Sequence, residues 1–366
     1  GARALDPPKL GGGLWMAPYD TRLWKANDMG GMPDPGMGSF MISAEQMFTN
    51  AGKRNANATL MSGMSRVDAQ MRGAMRNDLF SMAKMSYYAL AVLKRKQDVL
   101  ARSEDLLDQM LKATEIRYTY DMDKLNAWYK AKAMLGDVQN MQVMNAQEME
   151  QERITLNTLM VRDRSIVFDV DTTYVLKNYG AAPIDTAAVA DNRSDYRAID
   201  ANIALLRARQ GVQRSFLKPD FGVKYDHMLA FGEQPQQFSL MGMVTIPIAP
   251  WSKKMYSASI TGLELESVAL EERKQALLNQ VTGELNVLRS RIRGKEQQLE
   301  LFDTTILPSF RLNHQATLLA YQQGTEELFM VLDAWQNLRT AELGRLDLLL
   351  ELIGLNVEYE KQLEIR

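Results

Sequence analysis

Proline is absent from two long stretches, Thr49 to Thr114 and Trp251 to Leu307, and this constrains the fold more than any other feature. Proline is expelled from helix interiors because it lacks an amide hydrogen and clashes with the preceding turn. Sixty residues of unbroken helix run roughly 90 Å, far beyond the ordinary globular range. In the second stretch Leu278, Val281, Leu285, Leu288, Ile292, Leu299 and Ile306 recur at helical spacing, as do Leu343, Leu346, Leu350, Ile353 and Val357 further on. Sustained heptads joined by a tight turn predict an antiparallel coiled-coil hairpin. In the first stretch methionine takes the seam positions, at Met61, Met64, Met71, Met75, Met82 and Met85, followed by Val92 and Val99.

Ahead of each helical stretch the period changes to two. Phe221, Val223, Tyr225, Leu229 and Phe231 alternate with Gly222, Lys224, Asp226 and Met228; after Glu233-Gln234-Pro235, Phe238, Leu240, Val244 and Ile246 alternate with Gln237, Ser239, Met241 and Thr245. That pattern predicts a hairpin with one apolar face. Each strand has about ten residues, or roughly 33 Å, enough to cross a bilayer at a tilt. In the first half Phe40, Ile42, Ala44 and Phe48 alternate with Ser39, Ser43 and Glu45, a run from Lys9 to Met16 is the expected partner, and Pro18 to Gly36 reads as a long loop.

The two halves repeat. Leu5-Asp6-Pro7-Pro8 matches Leu217-Lys218-Pro219-Asp220, Gly52-Lys53-Arg54 matches Ser252-Lys253-Lys254, and Tyr118 to Leu125 matches Tyr321 to Leu328, at offsets of 200 to 212 residues. The expected first repeat spans 1–175, with strands 9–17 and 37–48 and helices 49–114 and 123–175. A linker follows at 176–192. The second repeat spans 193–366, with a lead-in helix 194–217, strands 219–231 and 237–248, and helices 252–318 and 327–363.

Other chemistries find no support. The formal net charge is −2 with no basic stripe, which argues against nucleic acid as a partner. No cysteine is present, so disulfides and thiolate sites are excluded. Gly52-Lys53 lacks the glycine and hydroxyl residue of a phosphate loop, with Met47 and Arg54 in those places, and Gly11-Gly12-Gly13 is not a dinucleotide fingerprint. His227 and His314 have no ligand partners at helical spacing; the first reads as a strand residue and the second as a helix-surface one. Glu271-Glu272 and Glu326-Glu327 read as solvated faces. No catalytic constellation or cofactor site is expected, and the chain is not expected to be an enzyme. No window of about 18 apolar residues marks a membrane-spanning helix, whereas a transmembrane β-barrel gives a much weaker signal.

The run Arg193, Asp195-Tyr196-Arg197, Ala201, Ala208 and Phe216-Leu217-Lys218-Pro219-Asp220 resembles the lead-in to the second barrel hairpin of the TolC-like outer-membrane efflux family. Tyr321-Gln322-Gln323-Gly324 followed by Val331-Leu332-Asp333-Ala334 resembles that family's tip signature. The resemblance implies a mainly α fold with a membrane β-barrel. Two repeats of β-hairpin plus long antiparallel coiled-coil hairpin would trimerise into a 12-stranded β-barrel on an α-helical barrel, with 176–192 as an equatorial linker. It further implies an outer-membrane channel extending into the periplasm, a homotrimer in outer-membrane lipid that works with a periplasmic adaptor and an inner-membrane pump. Tyr118, Asp121, Tyr321 and Gly324 would form the adaptor-docking tip, and Asp333 with Met330 the periplasmic aperture, where three Asp333 carboxylates could filter cations. Two positions depart from the family pattern: Asp121 stands where a glycine is usual, and Met330 where an acidic residue is usual. The first repeat lacks a counterpart of the lead-in helix, so an upstream helix and a signal peptide are expected in the native protein.

Methionine is abundant, with 24 residues. Thioether sulfur suits Cu(I) and Ag(I), which makes Met29, Met32, Met37 and Met41 candidate metal ligands and a copper or silver cargo one reading. Packing in irregular gaps is the other reading of methionine, and the one preferred for the helical stripe. Against the conduit stands a soluble coiled-coil scaffold or a periplasmic adaptor; the strand apolar face, present in both repeats, argues for the conduit.

Overall fold

The computed structural model describes residues 4–29, 32–34, 36–119, 125–173, 177–181, 183–247 and 250–365; Asp121 lies outside them. The chain is mostly helical with a small antiparallel sheet and divides into two compact units. One comprises 1–71 with 197–276, the other 72–196 with 277–366.

The first unit holds a four-stranded antiparallel sheet of β1 (Lys9–Trp15), β4 (Ser39–Phe48), β5 (Asp220–Ala230) and β6 (Gln237–Thr245), in that order. Ile42 faces His227 across β4 and β5, and Tyr225 faces Leu240 across β5 and β6. The expected loop 18–36 contains a 3₁₀ turn at Thr21–Trp24 and the short pair β2 (Asn27–Met29) and β3 (Met32–Asp34). Phe231 does not continue the apolar strand face. β5 stops at Ala230, the Phe231 amide donates to the Gly38 carbonyl, and its ring stacks on Trp24 with centroids 4.8 Å apart.

Helix α1 runs Ala51–Thr119 and starts where the Asn50 side chain accepts the Lys53 amide hydrogen at 2.9 Å, an N-cap. Helix α2 spans Leu125–Leu159, ending well before residue 175. The stop carries no glycine or proline: Val161 takes φ 54, and the buried Asn157 amide donates to the carbonyls of Arg164 and Ile166 at 3.0 and 2.9 Å. Phe168 and Val170 then fold back over Leu90, Ala91 and Leu156. The linker region contains α3 (Thr186–Asn192), capped by Asp185, and α4 (Ser194–Ser215) follows.

The last helical stretch is not continuous α-helix. α5 (Pro250–Leu301) passes through a π turn at Phe302–Ile306 into α6 (Leu307–Gln322), and α7 (Leu328–Leu363) returns. Pro308 cannot donate its missing amide hydrogen within this stretch, and π turns are a common accommodation of such a break.

The second unit's core follows the heptads, with Val281, Leu285, Leu288 and Ile292 packed among Leu346, Leu349, Ile353 and Val357, joined by Val92 and Val99. The methionine stripe of α1 is the exception. Met61, Met64, Met71, Met75, Met82 and Met85 are all exposed, so they do not fill a seam within the chain. Leu90, Val92, Leu93, Val99, Leu100 and Leu107 are among the buried positions of that helix. No helix among the described residues is long and apolar enough to cross a membrane.

Candidate functional site

The two faces of the sheet differ in kind. The registers place Leu10 and Leu14 of β1, Phe40, Ile42, Ala44 and Phe48 of β4, Phe221, Val223, Tyr225 and Leu229 of β5, and Phe238, Leu240 and Val244 of β6 on one face. All but Ala44 are exposed large hydrophobics, up to 79% for Leu10 and 70% for Phe238. Such a patch on a water-facing sheet would be an association or aggregation surface. The opposite face carries Lys9, Ser43, Glu45, Lys224, Asp226, Gln237 and Ser239, interleaved with Met41, Met47, Met228, Met241 and Met243. Lys9 pairs with Glu45 at 3.6 Å and Lys224 with Asp226 at 3.1 Å. β1 and β6 are the sheet's ends, each paired on one side only.

The junction beneath the sheet explains the Pro219-Asp220 motif. Asp220 accepts from the Asn50 backbone and side-chain nitrogens, each at 3.2 Å, and from the Lys53 ammonium. The Lys53 ammonium also lies 4.9 Å above the Phe216 ring, which stacks on Tyr256. One carboxylate thus ties the start of α1 to the first residue of β5. In the second unit the Arg193 guanidinium grips Asp195 at 3.0 and 2.6 Å and also donates to the Gln362 carbonyl at 2.8 Å. Burial pushes the Asp195 carboxyl up, but Arg193 outweighs it and the net shift is downward.

Gly324 sits in the turn between α6 and α7 at φ +77. Its amide donates to the Tyr321 carbonyl at 3.0 Å and the Thr325 amide to the Ala320 carbonyl at 2.9 Å. This is the paired bonding of a Schellman motif, which places a left-handed residue after the helix. Tyr321 is only 8% exposed and packs with Leu328, Val331, Leu332 and Trp335, so its ring supports the turn from inside; the Arg117 guanidinium lies 4.6 Å above it. Met330 and Asp333, three residues apart on α7, share an exposed face with Asn337, whose amide donates to Asp333 at 3.3 Å. Phe329 beside them is exposed, with the Lys130 ammonium 3.3 Å from its ring centre.

The four candidate metal ligands are spread over the β2–β3 pair, β4 and the loop that precedes it. Met29 and Met32 face each other in the β2–β3 pair. Met41 lies on the polar face of the sheet opposite Met228, and Met37 lines a cavity with Met16 and Met228. Among the described residues no group of His, Cys, Asp and Glu is arranged to hold a metal ion. His314 is half-buried on α6, and burial lowers its pKa.

Sequence reasoning passed over Glu360, a buried carboxylate that accepts from Lys84 at 2.5 Å, Lys177 at 2.9 Å and the Tyr179 hydroxyl at 2.8 Å. It also passed over Arg339, buried on α7 with Asp137 at 3.0 Å and the Trp335 ring at 4.9 Å. Neither ionic contact carries a spacing signal, because the charged partners come from distant segments.

No protein-family model matches the chain and no curated protein matches it. Solved structures do resemble it. The outer-membrane channel OprN is 16% identical over 97% of this chain and 81% of its own, with a TM-score of 0.75. The outer membrane protein VceC from Vibrio cholerae is 15% identical over 99% and 87%, with a TM-score of 0.74. The open state of the MtrE outer membrane channel from Neisseria gonorrhoeae is 14% identical over 99% and 81%, with a TM-score of 0.76. The chain has the fold of these channels.

Proposed function

We propose that this chain is the subunit of an outer-membrane efflux duct, a passive exit channel of a tripartite pump. The predominantly apolar face of the four-stranded sheet, which Gln46 and His227 interrupt, carries the reading. Lipid cannot hydrogen-bond a backbone, so a sheet exposed to it must close on itself and leave no edge. Four strands are too few to close, whereas eight already make a filled barrel and larger numbers leave a lumen. Pairing β1 of one copy with β6 of the next across three copies gives twelve strands, with the apolar face toward lipid and the Lys, Asp, Ser and Met face toward water. The helices would carry the duct on through the periplasm, with the α6–α7 turn, Gly324 and the Tyr118–Asp121 segment at an adaptor-docking tip. The likeness of fold to outer-membrane channels supports this reading. The partners would then be an inner-membrane pump and a periplasmic adaptor. The cargo we assign is Cu(I) or Ag(I), on the strength of the methionine content, with small toxic compounds as the alternative.

Met330 and Asp333 on the exposed face of α7 would ring the periplasmic aperture. In planar bilayers the purified trimer should conduct with cation preference, and Asp333→Asn should weaken that preference while leaving assembly intact. A protein that is a stable monomer without detergent contradicts the duct and favours a soluble scaffold or adaptor.

A further inference from the structure

The polar face of the sheet ends at a cavity of about 270 Å³ lined by Met16, Met37 and Met228, with Trp15, Gln234 and Gln237 beside them. Its three thioethers come from separate segments, the end of β1, the loop into β4 and the far part of β5. Register adds a neighbour, since Met41 is the cross-strand partner of Met228. Met16 holds φ 49, a left-handed value that non-glycine residues adopt at a cost and that recurs at ligand sites. Gly38, at φ +93, lets the Met37 loop run against the Met16 segment: an added Cβ there would meet the Ala17 Cα at 2.8 Å. Met16 and Met37 are 82% and 54% exposed, so they are not gap-fillers in an apolar core, the common use of methionine.

We propose that this cavity binds a soft monovalent cation, Cu(I) or Ag(I), through the sulfurs of Met16, Met37 and Met228, a reading that rests on the duct and names a binding station for its cargo. Thioethers are soft neutral donors that prefer these ions to zinc, magnesium or calcium. The lining holds no carboxylate, so a hard divalent ion finds no anionic oxygen there. A thioether need lose no proton to bind, unlike thiol, imidazolium or carboxyl ligands, so uptake should not vary across the neutral range. The set differs from the four methionines that sequence grouping suggests: it keeps Met37, brings in Met16 and Met228, and leaves Met29, Met32 and Met41 out.

The test is titration of the full chain in detergent with Ag(I) alone, followed by calorimetry and by silver absorption spectroscopy. Leucine preserves the volume of methionine and removes the sulfur, so the variant is Met16→Leu/Met37→Leu/Met228→Leu. The native chain should take up one more Ag(I) equivalent than the variant, with the sulfur scattering of that equivalent missing from the variant and the difference unchanged between about pH 6 and 8. Equal uptake by an assembled variant overturns the site. A readout on the native chain alone covers the case of a variant that does not assemble. The methyl resonances of Met16, Met37 and Met228 should move together on adding Ag(I), and stationary resonances overturn the site. Planar-bilayer conductance separates the two readings: native protein that conducts yet fails these silver tests loses only the metal site, and native protein that does not conduct loses the duct.

Discussion

Glu360 shows how a single side chain secures segments far apart in sequence. Burial pushes its carboxyl up, but hydrogen bonds from Lys84, Lys177 and Tyr179 outweigh that, and the net shift is downward. A depressed folded pKa contributes stability above the unfolded value of about 4.3, lost as pH falls through the folded value. Glu360→Gln should therefore cost about 2 kcal/mol at neutral pH, and the difference from native should shrink in acid. Denaturant titrations of both proteins at neutral and acid pH check this; a constant difference contradicts it. Nothing near Glu360 in sequence announces the role, because its three donors lie 183 residues away or more, save Tyr179 at 181. Asp220 is the opposite case, since its Pro219 neighbour and its place at a strand start draw attention before any partner is known.

At the scale of elements, periodicity is legible where one period dominates. Phe221 to Leu229 reads as a strand because one face is apolar but for His227, and Leu285 to Ile292 reads as a seam because both flanks are polar. The end of α2 is illegible, since a valine in the left-handed region and a buried asparagine do the work usually given to glycine. The α1 methionines mislead for another reason. Helical spacing shows that residues share a face but not which body covers it, and here the described residues leave that face exposed. The α6–α7 turn is legible through Gly324, whose left-handed backbone costs a residue with a Cβ about 1–2 kcal/mol. Gly324→Ala should speed hydrogen exchange at Thr325 by about tenfold, which corresponds to some 1.4 kcal/mol in an opening equilibrium. Asn, whose short polar side chain tolerates that region, should fall between the two. Equal exchange in all three would contradict the turn's dependence on glycine.

At the scale of the whole molecule, the proposed duct has each sheet face answer to a different solvent. Leu240 and Met241 are adjacent on β6 and point to opposite faces; Leu240 faces Tyr225 and Met241 faces Lys224 across the strand pair. A carboxylate at 240 would enter hydrocarbon, where ionised groups are costly. The same group at 241 would enter water beside a lysine. The direct measurement is the yield of heat-resistant trimer in outer-membrane fractions from cells expressing Leu240→Glu or Met241→Glu. The duct predicts loss of trimer for Leu240→Glu and a native yield for Met241→Glu; equal yields from the two would contradict a lipid-facing sheet.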